Sequence, residues 1–174
     1  FEENGFIIET ESLRDFESAE KLGFLLAPTS MPTMLEGRGN FLQEASKLAL
    51  KRLTNTNGFF LMVEGSQVDW GGHDNDADYL IAELIDLDNT LGDILDFSEA
   101  DGETLVVVTG DHETGGFTLA AKDGDYNTIV PTFSTKNHSA TMVPVFAFGP
   151  GAENFGGIYE NTEIFHKIMA LLSE

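Results

Sequence analysis

Apolar residues recur along the chain with two spacings, and these predict strands alternating with helices. Continuous apolar runs of strand length occupy residues 5–8, 23–27, 58–63, 105–108 and 143–148, and a further short strand is predicted at 117–121. Apolar positions recur every three or four residues, as in amphipathic helices, over residues 13–22, 41–57, 76–99 and 161–172. The remaining long stretches, 28–40 and 122–138, are rich in turn residues. This alternation predicts an α/β fold with a mainly parallel sheet flanked by helices.

Acidic residues and histidines cluster where the predicted strands end. Glu64, Asp69 and His73 follow the run at 58–63, and Asp111 and His112 follow the run at 105–108. Ligands of open α/β sheets bind beyond the carboxyl ends of the strands, so we expect these two clusters to meet in space.

A third polar cluster, around His138, precedes the run at 143–148. Three of the four histidines of the chain therefore fall in polar clusters, and the fourth, His166, is predicted on a helix surface.

These clusters have the composition of a divalent-metal site. Zinc binds neutral imidazole and carboxylate, and catalytic zinc sites leave one position open for water or substrate. Asp69 and His73 are four residues apart, a spacing that can place both on one ion. Each signal alone is weak, because an aspartate after a strand is often a turn or capping residue. Three histidines within these clusters make the metal interpretation the stronger one.

Composition limits the class of protein. The 174 residues carry 30 acidic and 9 basic side chains, for a formal net charge of −21. This charge argues against nucleic acid as a partner, because phosphate backbones are bound by Lys and Arg. No apolar run approaches the length of a membrane span, and the absence of cysteine excludes disulfides and thiolate chemistry. The excess acid fits either a solvated surface or side chains that converge on cations.

Several linked motifs resemble the carboxy-terminal part of bacterial alkaline phosphatases. They are the segment from residue 58 through Glu64-Gly65-Ser66, then Asp69 and His73, the segment 104–116 with Asp111-His112-Glu113-Thr114-Gly115-Gly116, His138, and the segment 143–152. The resemblance covers essentially the whole chain. It implies an alkaline phosphatase-like fold and a hydrolase of phosphate monoesters that uses two zinc ions, one magnesium ion and a phosphoserine intermediate.

The resemblance also assigns roles to individual residues. Asp69, His73 and His138 match ligands of the first zinc, and Asp111 and His112 match ligands of the second.

The resemblance also implies roles for two further residues. Glu64 matches a magnesium ligand, and Trp70 holds a position near the phosphate and magnesium sites. The family usually has a longer insert where this chain has only residues 122–137.

The nucleophile of the family has no counterpart in this chain. The family serine lies in an Asp-Ser-Ala-like motif, and no Asp-Ser pair occurs here. The aspartate shared between zinc and magnesium, the magnesium-binding threonine and the phosphate-clamping arginine are also without a match. We therefore expect residues 1–174 to be one incomplete domain that lacks the amino-terminal half and is inactive alone, with no catalytic residue of its own.

The resemblance further implies a periplasmic or secreted enzyme, and an incomplete domain is expected to form homo-oligomers. The alternatives are another hydrolase of the superfamily, such as a phosphodiesterase or a cofactor-independent phosphoglycerate mutase, and a non-catalytic acidic cation-binding module.

Overall fold

The computed structural model describes residues 1–16 and 20–173. They belong to two compact units, Phe1–Glu64 and Gly65–Glu174. Helices and strands are mixed in both units, so the predicted α/β class is confirmed. The interpretation of residues 1–174 as one incomplete domain stays a prediction.

In its described residues, the first unit has one pair of short strands and one α-helix. Its elements are β1 (Ile7–Glu9), β2 (Leu22–Phe24) and α1 (Phe41–Leu53). The two strands are parallel, with Ile7 opposite Leu22, as the strand–connection–strand pattern predicts.

The helix predicted between these strands is not formed over residues 13–16, which are irregular. Residues 17–19 of that prediction lie outside the described residues, and Leu22 belongs to β2. The Asp15 carboxylate of this segment binds the last turn of α1. Its oxygens lie 2.7 Å from Lys51 Nζ and 2.7 Å from Arg52 Nη1. The hydrogen bond from Lys51, followed by that from Arg52, lowers the pKa of Asp15 below its ordinary value.

The apolar run at 59–63 is not a paired strand among the described residues. Its burial alternates instead: Phe60 is 63 % exposed and Met62 is 74 % exposed, whereas Phe59, Leu61 and Val63 are half-buried. Such alternation is typical of a strand with one covered face, not of the predicted strand buried on both faces. A strand ladder also requires hydrogen bonds to a neighbour, which an apolar sequence cannot supply by itself.

In the part of the second unit that the structure describes, three α-helices follow: α2 (Gln67–Asp74), α3 (Ala77–Asp101) and α4 (Glu163–Leu171). The long helix predicted over 76–99 is confirmed by α3. Asn75 separates α2 from α3 in the left-handed conformation, with φ of 56°. Gly71 lets the two helices approach, because a Cβ at this position would lie 2.7 Å from the Leu80 backbone. The junction fixes the direction of α2, which carries Asp69 and His73.

Asp76 caps the amino terminus of α3. Its carboxylate accepts a hydrogen bond from the Tyr79 backbone N–H at 3.0 Å. We expect Asp76→Ala to lower the free energy of unfolding by about 1 kcal/mol, because loss of the carboxylate leaves the Tyr79 N–H without its hydrogen-bond partner. Asp76→Asn retains a capping oxygen and is expected to stay close to the parent chain. Urea denaturation followed by circular dichroism measures both variants, and equal loss in the two would contradict the capping role.

Three antiparallel strand pairs lie in the second unit. They are β3 (Val106–Thr109) with β8 (Val145–Phe148), β4 (Glu113–Thr114) with β7 (His138–Ser139), and β5 (Thr118–Lys122) with β6 (Asp125–Thr132). With β1–β2, the described residues thus hold one parallel and three antiparallel pairs, whereas the sequence predicts a mainly parallel sheet.

The hairpin β5–β6 explains part of this difference. Asp123 and Gly124 form its turn with φ of 51° and 83°, the left-handed pair that a two-residue hairpin requires. Such a hairpin can join only antiparallel strands. The whole of β6 falls in residues 122–138, which the sequence predicts to be turn-rich, so the strand corrects that prediction.

Large apolar side chains remain open on α4 and β8. Phe165 and Met169 on α4 and Leu172, the residue that follows α4, are 63, 44 and 59 % exposed. Their spacing of four and three residues places them on one side of the helix, and this set is the α4 stripe. Phe146 and Phe148 on β8 are 64 and 47 % exposed and, two residues apart, share one face of the strand. A folded chain rarely leaves several such side chains together in water.

Candidate metal centre

Asp69 and His73 lie one turn apart on α2. Residues four apart share one face of a helix, and here the Asp69 Oδ2 and His73 Nε2 atoms are 3.5 Å from each other. Both side chains are about one-third exposed, at 34 and 38 %. The pair is therefore open enough to bind an ion and close enough to share one.

His138 reaches the same place from β7. The ladder sets Thr114 opposite His138, so the short pair β4–β7 holds the histidine in register. His138 Nε2 lies 3.1 Å from His73 Nε2 and 3.6 Å from Asp69 Oδ1. Ligand atoms of Asp69, His73 and His138 all lie within 4.8 Å of one another.

The chemistry of this set fits a zinc-class divalent ion. It offers imidazole nitrogen and carboxylate oxygen, and three protein ligands leave a fourth position for water or substrate. The Nδ1 atom of His73 is 2.7 Å from the Lys136 carbonyl oxygen. Because a carbonyl only accepts, Nδ1 donates this bond, and Nε2 turns its lone pair toward Asp69 and His138. A hydrogen bond of this kind commonly orients a metal-binding histidine.

His112 lies directly beside the three-residue group. Its ring stacks on that of His138, with centroids 3.5 Å apart and planes 20° apart. His112 Nε2 is 3.3 Å from Asp111 Oδ2, and Asp111 itself is 85 % exposed. The strand ends after β3 and before β8 thus bring both predicted ligand sets into one place.

Thr114 is a residue of the site that the sequence reasoning missed. Its hydroxyl donates a hydrogen bond to Asp69 Oδ1 and lies 3.2 Å from His112 Nδ1. The available signal was its position two residues after His112, since alternate residues of an extended segment face the same side.

The glycines of the motif allow these elements to approach. A Cβ on Gly72 would lie 3.0 Å from the Thr114 carbonyl oxygen and from its Cγ2. Gly115 has φ of 87°, and a Cβ there would lie 2.8 Å from the Gly72 carbonyl oxygen. Side chains at either position would push α2 away from β4, and with it Asp69 from Thr114.

The other predicted site residues lie outside the three-residue group. Glu64 is exposed and is the last residue of the first unit. Trp70 is 42 % exposed and adjoins Asp69 on α2. His166 is exposed on α4, where its ring contacts Phe165 edge to face. The roles of Glu64 and Trp70 stay predictions.

No helix in the described part of the chain is long and apolar enough to cross a membrane.

The family model described as "Alkaline phosphatase" matches residues 6–132 and 125–173. A curated relative, alkaline phosphatase 3 of Bacillus subtilis, is 29 % identical in an alignment 203 residues long. The alignment covers 75 % of this chain and 44 % of the relative.

Solved structures agree with this match. The alkaline phosphatase of the Antarctic bacterium TAB5 is 56 % identical, with a TM-score of 0.95 over 99 % of this chain and 53 % of that one. A histidine variant of the TAB5 enzyme with magnesium bound in its M3 site is 57 % identical, with a TM-score of 0.94 over 99 % of this chain and 54 % of that one. The chain thus spans about half the length of these proteins.

Proposed function

Because this chain belongs to the alkaline phosphatase family, we propose that it is the metal-binding carboxy-terminal part of an enzyme that hydrolyses phosphate monoesters. The observation that carries the proposal is the convergence of Asp69, His73 and His138 within 4.8 Å. The similarity covers about half the length of the solved relatives, so we propose that this chain supplies some of the active-site residues, namely metal ligands. The nucleophile is assigned to the part of those proteins that the chain does not span.

The metal assignment follows the donor chemistry. Asp69, His73 and His138 would hold one zinc ion, and Asp111 with His112 would contribute to a second. Divalent ions in paired sites act as Lewis acids that stabilise charge on the attacking and leaving oxygens of a phosphoryl transfer.

Magnesium is proposed at Glu64. The solved variant of the TAB5 enzyme contains magnesium, and carboxylate oxygen is the ligand that this hard cation prefers. Trp70 is proposed to lie near the substrate.

The residues of this chain bind and orient; none is proposed as the nucleophile. The Lys136 carbonyl fixes the ring of His73, as its 2.7 Å contact with Nδ1 requires. The β4–β7 ladder fixes His138. An ordered set of ligands costs little reorganisation when charge develops on the substrate, which is the condition for electrostatic stabilisation of a transition state.

The sequence motifs favour a monoesterase over the other hydrolases of the superfamily. The strings Val63-Glu64-Gly65-Ser66 and His112-Glu113-Thr114-Gly115-Gly116 carry this preference. A cation-binding module without catalysis would keep the same metal ligands, so activity has to be measured separately from metal content.

The test is hydrolysis of aryl phosphate monoesters and diesters by the entire gene product that carries this sequence, supplied with zinc and magnesium. We expect turnover of the monoester, and we expect His112→Ala to abolish it. Lys122→Ala, an exposed position at the hairpin turn, is the matched control and should leave turnover unchanged. Absence of monoester hydrolysis, or preference for the diester, would overturn the proposal; metal binding without hydrolysis would establish the cation-binding module.

A periplasmic or secreted location is part of the proposal. It is supported by bacterial relatives of the alkaline phosphatase family, and cell fractionation of the producing organism tests it.

Self-association of the 174-residue chain is expected from its open apolar surface. The α4 stripe, together with Phe146 and Phe148 on β8, exposes large apolar side chains. Burying them between two chains stabilises the assembly by about 25 cal/mol per Å² of apolar surface removed from water. Light scattering at micromolar concentration should therefore detect dimers or larger species. Phe165→Glu with Met169→Glu should reduce their mass, and Lys122→Glu serves as a control that adds charge elsewhere. A monodisperse monomer in the parent chain would refute this expectation.

A further inference from the structure

We propose that Asn75 is a positioning residue whose side-chain amide holds the segment leading to His138 against the end of α2. This segment is residues 133–137, which join β6 to β7, and it is called the β6–β7 connection. The inference rests on the proposed function, because His138 would bind one metal ion together with Asp69 and His73 of α2. Asn75 itself is assigned no contact with that ion.

The side chain of Asn75 bridges two peptide carbonyls. Its amide nitrogen lies 2.7 Å from the Thr135 carbonyl oxygen and 2.9 Å from the Gly72 carbonyl oxygen. Carbonyl oxygens only accept, so the amide turns its NH₂ group toward both, and the two protons of that group make the two hydrogen bonds. Gly72 belongs to α2 and Thr135 to the β6–β7 connection, so one half-buried side chain joins them.

Backbone hydrogen bonds hold the β6–β7 connection on its other side, where Gly115 follows β4. The N–H groups of Ser134 and Thr135 donate to the Gly115 carbonyl at 2.9 and 3.2 Å. The Gly115 N–H in turn donates to the Asn137 carbonyl at 3.1 Å. These three bonds fix the connection to the strand but not to the helix, so the distance to α2 depends on other contacts.

On the helix side, the Asn75 bond adjoins a contact made by a candidate metal ligand. The Lys136 carbonyl oxygen, one residue after that of Thr135, lies 2.7 Å from His73 Nδ1. The Asn75 amide thus holds the connection to α2 through a residue that is not itself a ligand.

The position of His138 depends on this connection, which it follows directly. Its Nε2 lies 3.1 Å from His73 Nε2, although 65 residues separate the two histidines in the sequence. If the connection moved away from α2, His138 would have to be ordered again whenever the ion binds, at a cost in conformational entropy. An amide that keeps the two ligand-bearing segments together therefore favours metal binding.

The backbone of Asn75 offers a different reason for an asparagine at this position. Its φ of 56° is left-handed, a conformation that glycine and asparagine adopt more readily than other residues. Asn75→Gly separates the two roles, because glycine keeps the left-handed backbone and lacks the amide. Asn75→Ala lacks the amide and also strains the backbone. If only the backbone matters, Asn75→Gly should behave like the parent chain, whereas both variants should be affected alike if the amide matters.

Amide hydrogen exchange of the metal-free chain tests the contact without metal or catalysis. We expect the N–H groups of Thr135 and Gly115 to exchange about 3–10-fold faster in Asn75→Gly and Asn75→Ala, the effect of one lost hydrogen bond. The N–H groups in the middle of α3 report global opening and serve as the reference. Asp76→Ala is the matched control, because it weakens the adjacent start of α3 and leaves the Asn75 amide in place. In this control, Thr135 and Gly115 should exchange as in the parent chain.

Zinc calorimetry on the same variants measures the consequence for metal binding. Changing a residue that orients metal ligands commonly costs 10–100-fold in affinity, and we expect about tenfold in Asn75→Gly and Asn75→Ala. The affinity of Asp76→Ala should stay close to that of the parent chain, which a general loss of stability at this junction would not allow. Parent-like exchange or parent-like affinity in Asn75→Gly overturns the inference, and so does an equal loss in Asp76→Ala. Faster exchange in Asn75→Gly, with a parent chain that binds no zinc, would support the positioning contact and reject the proposed metal site.

Discussion

Replacement of His73 by alanine is expected to lower the affinity of the chain for zinc by at least about a hundredfold. Changing a residue that only orients a metal ligand already costs 10–100-fold, so loss of a ligand should cost more. His73 Nε2 is 3.1 Å from His138 Nε2 and 3.5 Å from Asp69 Oδ2. Without it, two donors remain, fewer than the three protein ligands of catalytic zinc sites.

Isothermal titration of the metal-free chain with zinc at neutral pH measures this loss. The matched control is His166→Ala, which removes an exposed histidine of α4 outside the three-residue group and should leave the affinity unchanged. Equal binding by the parent chain and His73→Ala would show that zinc is held elsewhere. Equal loss in both variants would point to non-specific binding by exposed histidines.

The 174-residue chain by itself is expected to show negligible phosphatase turnover, even with zinc and magnesium supplied. It has no Asp-Ser pair to provide the family nucleophile, and loss of a nucleophile removes the covalent route. Its three arginines, Arg14, Arg38 and Arg52, all belong to the first unit and match no phosphate clamp of the family. Attack by water at the first site would be slower by several powers of ten, as when a nucleophile is removed and other stabilisation remains.

The measurement is release of an aryl alcohol from an activated phosphate monoester at alkaline pH. Asp111→Ala is the control, because it removes a candidate ligand of the second zinc and should not change a rate that is already near background. Turnover near an ordinary enzyme rate of about 10 per second, abolished in Asp111→Ala, would show that this half of the family fold is sufficient for catalysis.

Long elements were predictable because their signal repeats. The 25-residue helix α3 shows its apolar period over several turns, and the prediction of residues 76–99 fell close to its true limits. Strands of two to four residues, such as β4 and β7, contain too few positions to show any period. Pairing direction is harder still, because it depends on which strands meet. The dipeptide Asp-Gly forms the hairpin turn at 123–124 but ends the helix α3 at 101–102, so it does not specify an antiparallel pair by itself.

The candidate ligands could be identified from the motifs at the strand ends, but the spatial contacts between ligands far apart in the sequence could not. Asp69 and His73 are related by helix geometry alone, whereas His138 is brought to them across 65 residues from His73 by a two-residue ladder. The role of Thr114 depends on a contact across 45 residues with Asp69. No spacing in the sequence encodes a contact of that kind.

The short ladder β4–β7 affects where the chain can accept insertions. It closes the base of the excursion that carries the β5–β6 hairpin, since Thr114 and His138 are paired where that excursion begins and ends. Extra residues inserted at the hairpin tip would add only the slowly growing entropy of a longer loop, roughly 0.6 kcal/mol for each doubling in length. Homologues can therefore gain or lose a subdomain within this segment while His138 at its base keeps its position.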